Sequence, residues 1–220
     1  MADNKDVEAS GSREKVLSSA EEVFAEHGYD GARVEEITSR AGVNVRMLYH
    51  HFGSKEGLFQ AVCNRFDHAI IARLGKVFET ETETETDTDA ELVDLLARTV
   101  EEFWDFMEQS PNFVRIAAWC DLQHDRLPDL KHPAHDYVRN VLFPRMTELA
   151  RQDGWASGAD PAHVMIFCWS LPFFWKLNRK VCLTFFEGDD VEARDRAYRK
   201  FIITVLLDGL RGRPLEPECA

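Results

Sequence analysis

The chain has 220 residues, 45% of them hydrophobic and 30% charged, with a formal net charge of −13. That length gives a sizeable core in one domain or two small ones, and no apolar run approaches the ~20 residues needed to cross a bilayer, which excludes a membrane-spanning class. The acidic balance argues against a nucleic-acid partner for the chain as a whole, but charge acts locally. Between residues 40 and 60, Arg40, Arg46 and Lys55 oppose only Glu56, so a small basic tip precedes an acidic body. The five cysteines (Cys63, Cys120, Cys168, Cys182, Cys219) are odd in number and form no C-x-x-C pair. Met1 to Ser10 is polar rather than signal-like. Both features point to a reduced, cytoplasmic compartment with buried structural thiols, a redox sensor being the alternative.

Residues 1–11 are polar and are expected to be disordered. Ser12 can cap a first helix whose apolar set, Val16, Leu17, Ala20, Val23 and Phe24, forms a single buried stripe ending at Gly28. A second helix, Val34 to Arg40, stops at Ala41-Gly42-Val43. Asn44 can then cap a third, because its side-chain oxygen accepts a free N–H of the new first turn. Two helices joined by so short a glycine-containing turn form a helix-turn-helix pattern, whose second helix can lie in the major groove of DNA. In that third helix Leu48 and Phe52 face inward, and Arg46, Met47, Tyr49, His50 and His51 remain largely outside. Arginine can donate a bidentate fork to a guanine edge, and Tyr and His can bond to phosphate oxygens. Ser54-Lys55 opens a fourth helix, where a lysine and free N–H groups point at any nearby anion. Periodicity alone leaves a solvated surface helix equally open.

The span Arg13 to Phe59 resembles the DNA-binding domain of the TetR family of one-component transcriptional regulators. The residues that carry the resemblance are Ala20, Phe24, Gly28-Tyr29, Val34-Glu35-Glu36-Ile37, Ala41-Gly42-Val43, Leu48-Tyr49-His50-His51-Phe52 and Ser54-Lys55-Glu56-Gly57-Leu58. The resemblance implies that Tyr49, His51 and Lys55 touch the DNA backbone and that Val45, Arg46 and Met47 point at base edges, with the cap Asn44 in the same set. Two positions depart from the family pattern. Arg46 stands where the family often has Gly or Pro, so base reading here leans on arginine. Ala32-Arg33 replaces the usual hydroxyl residue at the start of the second helix, leaving Arg33 to supply a charged phosphate contact.

The fourth helix carries Leu58, Val62, Phe66 and Ile70 at four-residue steps and runs to near Phe78, a connector from head to body. Residues 79–89 alternate Glu or Asp with Thr, offer no apolar face, and read as an acidic mobile linker. Ala90 to Met107 is strongly amphipathic. Ser110-Pro111 starts a helix to about Gln123, with Ser110 as cap. A loop with Pro128 and Pro133 leads to a helix from His135 to Arg151 that Pro144 should kink or break. Asp160-Pro161 starts a helix to about Leu177, apolar nearly all round and kinked at Pro172. Asp189-Asp190 opens the last helix, with Phe201, Ile202, Val205, Leu206 and Leu210 inward.

The expected fold is thus all-α, with about nine helices. A helix-turn-helix domain of three helices occupies 12–57, and a helical effector-binding and dimerisation domain occupies 58–220. The helix from Pro161 is apolar on too many sides for one neighbour to cover, so a homodimer built on the last two helices is expected, as the resemblance also implies. The resemblance further implies a small-molecule effector among helices four to seven, which contribute Phe66, Phe103, Trp104, Met107, Trp119 and Phe143. The function expected is a repressor that binds a palindromic operator in double-stranded DNA and is released by an apolar or aromatic molecule. The alternative is a helical carrier or enzyme with a helix-turn-helix-like end. No phosphate loop, nucleophile elbow or paired-cysteine site appears, so no catalytic residue, cofactor, metal or membrane is expected. His132-Pro133-Ala134-His135-Asp136, with His124-Asp125 nearby, could bind zinc, but Pro133 breaks a helical presentation and an exposed loop is the favoured reading.

Overall fold

The computed structural model describes residues 3–79, 88–123, 127, 129–153, 160–188 and 190–211. The elements are α1 (Asp3–Gly31), α2 (Val34–Ala41), α3 (Val45–Phe52), α4 (Lys55–Glu79), α5 (Thr88–Gln109), α6 (Pro111–Leu122), α7 (Pro133–Tyr137), α8 (Phe143–Asp153), α9 (Pro161–Cys182) and α10 (Val191–Arg211). A π-helical turn, Val138–Leu142, joins α7 to α8 without interruption. Counted with that run as one, the described residues hold nine helices and no strand. Helix α1 begins at Asp3, ahead of the Ser12 start expected and inside the stretch expected to be disordered. Of the linker expected at 79–89, residues 80–87 fall outside the described residues, as do His124 and Asp125, whereas Glu79 ends α4 and Thr88 and Asp89 begin α5.

Two compact units divide the chain. The first comprises Met1–His68 with Ser110–Pro133, and the second Ala69–Gln109 with Ala134–Ala220. The division falls inside α4, and α6 belongs to the first unit. In that unit the stripe Val16, Ala20, Val23 and Phe24 is buried, as are Ile37 of α2, Leu48 of α3, and Leu58, Phe59 and Val62 of α4. Each such large side chain contributes roughly 1.5–3 kcal/mol on burial. Phe24 and Phe59 meet edge to face at 4.8 Å. Helix α6 lies along α1 through Val114 and Ile116, and Asn112 Nδ2 donates to Glu21 Oε1 at 3.1 Å.

Gly28 shows why this position takes no side chain. Its φ of 67° breaks α1, and a Cβ there would meet the Trp119 indole of α6 at 2.9 Å. Trp119 Nε1 donates to the Ala25 carbonyl at 3.4 Å, so the ring is seated on the exposed backbone of the break.

In the second unit α5, α8, α9 and α10 pack around Leu95, Leu96, Trp104, Met146, Met165, Trp175, Ile202 and Leu206. Pro144 does not break its helix. In the π turn before it, the Phe143 N–H donates to the Val138 carbonyl, and the extra residue in that turn carries the chain past the imino acid. Asp160 caps α9 by accepting the Ala162 N–H at 2.8 Å, and α9 continues past Leu177 to Cys182 with Pro172 buried inside it. Ser110 makes no side-chain cap bond, contrary to expectation; its carbonyl accepts the Phe113 N–H at 3.0 Å instead.

A buried carboxylate ties α9 to α10. Asp195, 5% exposed, accepts from Trp175 Nε1 at 2.8 Å and from Arg179 Nε at 3.1 Å, with Lys176 Nζ at 3.3 Å and a further bond from the Arg179 guanidinium. Lys176 also lies 3.2 Å from Glu108 of α5 and 4.2 Å above the Trp104 ring.

Outside this core, apolar side chains remain in the open. Ile166 is 63% exposed, Phe174 55%, and Leu177 and Val181 follow on the same 80° arc of α9 at the 100° per residue of an α-helix. Phe185 and Phe186 continue beyond it, and Phe201 of α10, expected inside, is exposed; Ile202, Leu206 and Leu210 are buried as expected.

Candidate nucleic-acid interface

Local chemistry sets the turn before α3. Gly42 takes φ 66°, ψ 32°, a conformation that costs other residues more, and its N–H donates to Ser39 O at 3.2 Å while Val43 N–H donates to Thr38 O at 3.1 Å. Thr38 is buried and donates its hydroxyl to Val34 O at 3.0 Å, which closes α2 on itself. Asn44 then sits in extended backbone, and its Oδ1 accepts the Arg46 N–H at 2.9 Å. The cap expected from the sequence is thus in place, and α3 starts three residues after Gly42.

Leu48 is fully buried and anchors α3 on α1. The opposite face carries Arg46, Tyr49 (47% exposed) and His50, at i, i+3 and i+4. Arg46 has no ion-pair partner among the described residues, so its guanidinium is available. Val45 and Met47 are half-buried beside it. Arg33 precedes α2 in extended backbone (φ −107°, ψ 133°), exposed and likewise without an ion-pair partner among the described residues.

His51 and Lys55 are engaged within the head. His51 Nε2 shares a 2.8 Å hydrogen bond with Ser12 Oγ of α1. Burial, then the neighbouring charges of His50 and Arg13, holds the His51 ring below the ordinary histidine range, hence neutral. Lys55 Nζ lies 4.7 Å over the Tyr29 ring and 3.5 Å from the Asp30 carbonyl, and burial lowers its pKa against the pull of Asp30. Ser54 Oγ accepts the Gly57 N–H at 3.0 Å and so caps α4. The sequence read Ser12 only as a helix cap, not as the partner of His51, and gave Arg13 no role. Arg13 sits 5.1 Å over the Phe52 ring; an arginine one residue past the expected first cap was the only signal.

The basic tip is smaller than its sequence count. Arg40 is clamped by Glu26 at 2.9 and 2.7 Å and by Glu36 at 2.6 Å, which leaves Arg46 and Lys55 as the uncompensated cations of that stretch. Glu26, Glu36 and His27 also form the one group among the described residues with metal-ligand spacing, but Arg40 already pairs with both of its carboxylates.

The six aromatic and apolar residues expected around an effector divide between the units. Phe66, buried edge-on to Phe113 at 5.6 Å, and Trp119 lie in the first. Phe103, Trp104, Met107 and Phe143 lie in the second, the first three buried. Phe103 stacks at 5.3 Å on Trp169, whose buried Nε1 has no hydrogen-bond partner among the described residues.

A capped second helix after a glycine turn, carrying an unpaired arginine and an exposed tyrosine, defines a helix-turn-helix DNA-binding head. Residues 16–62 match the family of bacterial regulatory proteins, tetR family. The transcriptional repressor NicS of Pseudomonas putida is 28% identical over 208 residues, 93% of this chain and 94% of that protein. Among solved structures, the transcriptional regulator SCO4942 of Streptomyces coelicolor has the same fold, with a TM-score of 0.65 at 22% identity over 87% of this chain and 96% of that one. The regulator FadR of Bacillus subtilis, solved with stearoyl-CoA, gives 0.59 at 18% over 89% and 97%. The family match spans residues 16–62, and the chain is similar over nearly its whole length to a transcriptional repressor. The curated relatives that it matches are transcriptional regulators. No helix among the described residues is long and apolar enough to cross a membrane.

Proposed function

We propose that the protein is a cytoplasmic repressor that binds a palindromic operator as a homodimer and releases it when an apolar or aromatic molecule occupies its body. The observation that carries this reading is the unpaired Arg46 beside Tyr49 on a capped, rigidly seated α3. Arg46 reads a base, most plainly guanine, with Val45 and Met47 alongside. Arg33, Tyr49 and Lys55 hold phosphates, Asn44 fixes the helix start, and His51 steadies the helix through Ser12 as well as facing the backbone. Residues 12–57 read DNA and 58–220 supply effector binding and dimerisation.

Dimerisation is supported by the apolar arc of α9 and by Phe201, side chains that folding of one chain leaves in water. Effector binding is supported by the buried Phe103, Trp104 and Met107, and by Phe143, in the second unit, where the unpartnered Trp169 N–H beside Phe103 offers a donor to a mostly apolar ligand. Phe66 and Trp119 act on the head's side, on α4 and α6, the helices through which coupling reaches α1. That FadR was solved with an acyl thioester is consistent with a long apolar ligand.

The test is a gel shift on the DNA upstream of the protein's own gene, with light scattering alongside. A dimer that retards this DNA, and a selected apolar ligand that weakens binding by about 5–150-fold, are the expected results. A 25.3 kDa monomer that binds no DNA would sink the reading.

A further inference from the structure

Two consecutive residues of α1 meet two consecutive residues at the end of α3. Ser12 Oγ shares a 2.8 Å hydrogen bond with His51 Nε2, and the Arg13 guanidinium lies 5.1 Å from the centroid of the Phe52 ring. The His51 and Phe52 rings stand edge to face at 6.1 Å, so the two contacts make one corner of the head. The bond to Ser12 occupies one ring nitrogen of His51 and leaves Nδ1 for another partner. Arg13 is exposed and has no ion-pair partner among the described residues. Attraction to a ring face engages the charge of a guanidinium and not its N–H donors, so that fork is open.

The corner lacks a balancing anion. The charged groups that face His51 among the described residues are Arg13 of α1 and His50 of α3, whose ring centroid lies 5.3 Å away. Glu14, next along α1, is paired with Arg65 of α4 instead. Burial first, then the charges of His50 and Arg13, keeps the His51 ring neutral. An anion set between Arg13 and His51 reverses that balance, because it pairs with the guanidinium and favours the imidazolium over the neutral ring. Other cations of the head are already engaged. Arg40 is clamped by Glu26 and Glu36, and Lys55 lies over Tyr29 with the Asp30 carbonyl beside it.

We propose that Arg13 and the Ser12–His51 pair grip one DNA phosphate together, and that His51 takes up a proton from solvent as the phosphate seats. On the reading that α3 meets an operator, this adds a residue of α1 to the contacts that hold the duplex. The protonated ring donates from both nitrogens, from Nε2 to Ser12 Oγ and from Nδ1 to a phosphate oxygen. Arg13 donates its fork to the same phosphate. Because the bound head carries one proton more than the free head, affinity rises as pH falls, by up to about tenfold per pH unit per head. The free ring titrates below the ordinary histidine value of about 6.5, and the phosphate raises the bound ring above the free one. The rise therefore falls in the window between those two values. No base edge takes part, so the effect is the same on every sequence.

The experiment measures DNA affinity of the full-length protein from about pH 8 to about pH 6 at fixed ionic strength. Two probes are used, the DNA upstream of the protein's own gene and a random-sequence duplex of equal length. Affinity for both should rise as pH falls. His51→Gln, which keeps a side-chain donor and cannot titrate, should flatten the profile, whereas His50→Gln should keep it. Arg13→Ala should weaken binding alike on both duplexes and lower the salt slope by about one unit per head. In the wild type, the His51 ring resonances should titrate at higher pH in the complex than in the free protein, a readout that needs no variant to fold. A flat wild-type profile, a profile that survives His51→Gln, or equal His51 titration in the free and bound protein overturns the proton uptake. An unchanged salt slope in Arg13→Ala overturns the shared phosphate. Protein that binds neither duplex at any pH sinks the operator reading and this proposal with it, whereas tight binding with a flat profile sinks the proposal alone.

Discussion

Helices α3 and α9 each show the solvent side chains that a single folded chain does not need there, but of opposite kinds. On α3 they are polar and few: Arg46, Tyr49 and His50 on a helix of 8 residues. On α9 they are apolar and spread from Ile166 to Val181 of a helix of 22 residues. Exposed arginine is cheap in water and expensive to bury, so its presence says little until a cap and a turn fix where it points. Exposed phenylalanine is the reverse, since each leaves a large apolar surface in water that a partner would remove. The two helices therefore argue function by different routes, one by geometry and the other by solvation.

The largest expected effect breaks the α9 side of that contrast. Phe174→Glu with Leu177→Glu should leave folding of the monomer intact, because both are exposed. It should also halve the mass seen by light scattering and weaken operator binding by at least on the order of 100-fold, as each head alone keeps half of the contacts. A dimer that persists would show that the arc serves something else.

Arg46→Ala comes next, at roughly 1–3 kcal/mol per half-site and with relaxed preference at one base pair. Binding-site selection on both proteins checks it, and identical preferences would remove Arg46 as a reader.

Lys55→Ala should cost less and cost it evenly across sequences, with the salt dependence of binding flattened by about one unit per head. Because Lys55 also lies over Tyr29, the same change should lower head stability by roughly 0.5–1 kcal/mol. A drop in melting temperature with an unchanged salt slope would make Lys55 a packing residue only.

The smallest effect is on pH. His51 is held neutral in the fold, so folding binds fewer protons there than the unfolded chain does. Its contribution is fully present above the ordinary histidine pKa of about 6.5 and is lost as pH falls below that value. Ser12→Ala should remove the Ser12–His51 tie and lower stability at neutral pH; urea melts across pH 5–8 check both.

Where the determinants are local, the sequence was a sufficient guide. Gly42, Asn44 and Asp160 act on backbone groups within a few residues, and the helices begin and end where those groups require. Ser110 failed as a cap because its backbone, at φ −129° and ψ 63°, is not the extended form that turns a hydroxyl towards the next N–H groups. The π turn before Pro144 was invisible because it depends on one inserted residue rather than on composition. The site was less legible where partners lie far apart in sequence. Nothing near Arg40 announces Glu26, nothing near His51 announces Ser12, and the place of α6 beside α1 depends on the indole of Trp119 finding Gly28.

The carboxylate of Asp195 has one more consequence. Bare phenylalanines invite any greasy surface, and a helix free to slide would offer them in many arrangements. With Trp175, Lys176 and Arg179 all gripping one buried acid, a slip of α9 along α10 by a single turn would strand a charge in the interior, at about 3–5 kcal/mol. The pattern of rings is therefore presented in one phase only. A twin copy carries the same pattern at the same phase and can interlock with it, whereas a stranger with mere greasiness cannot.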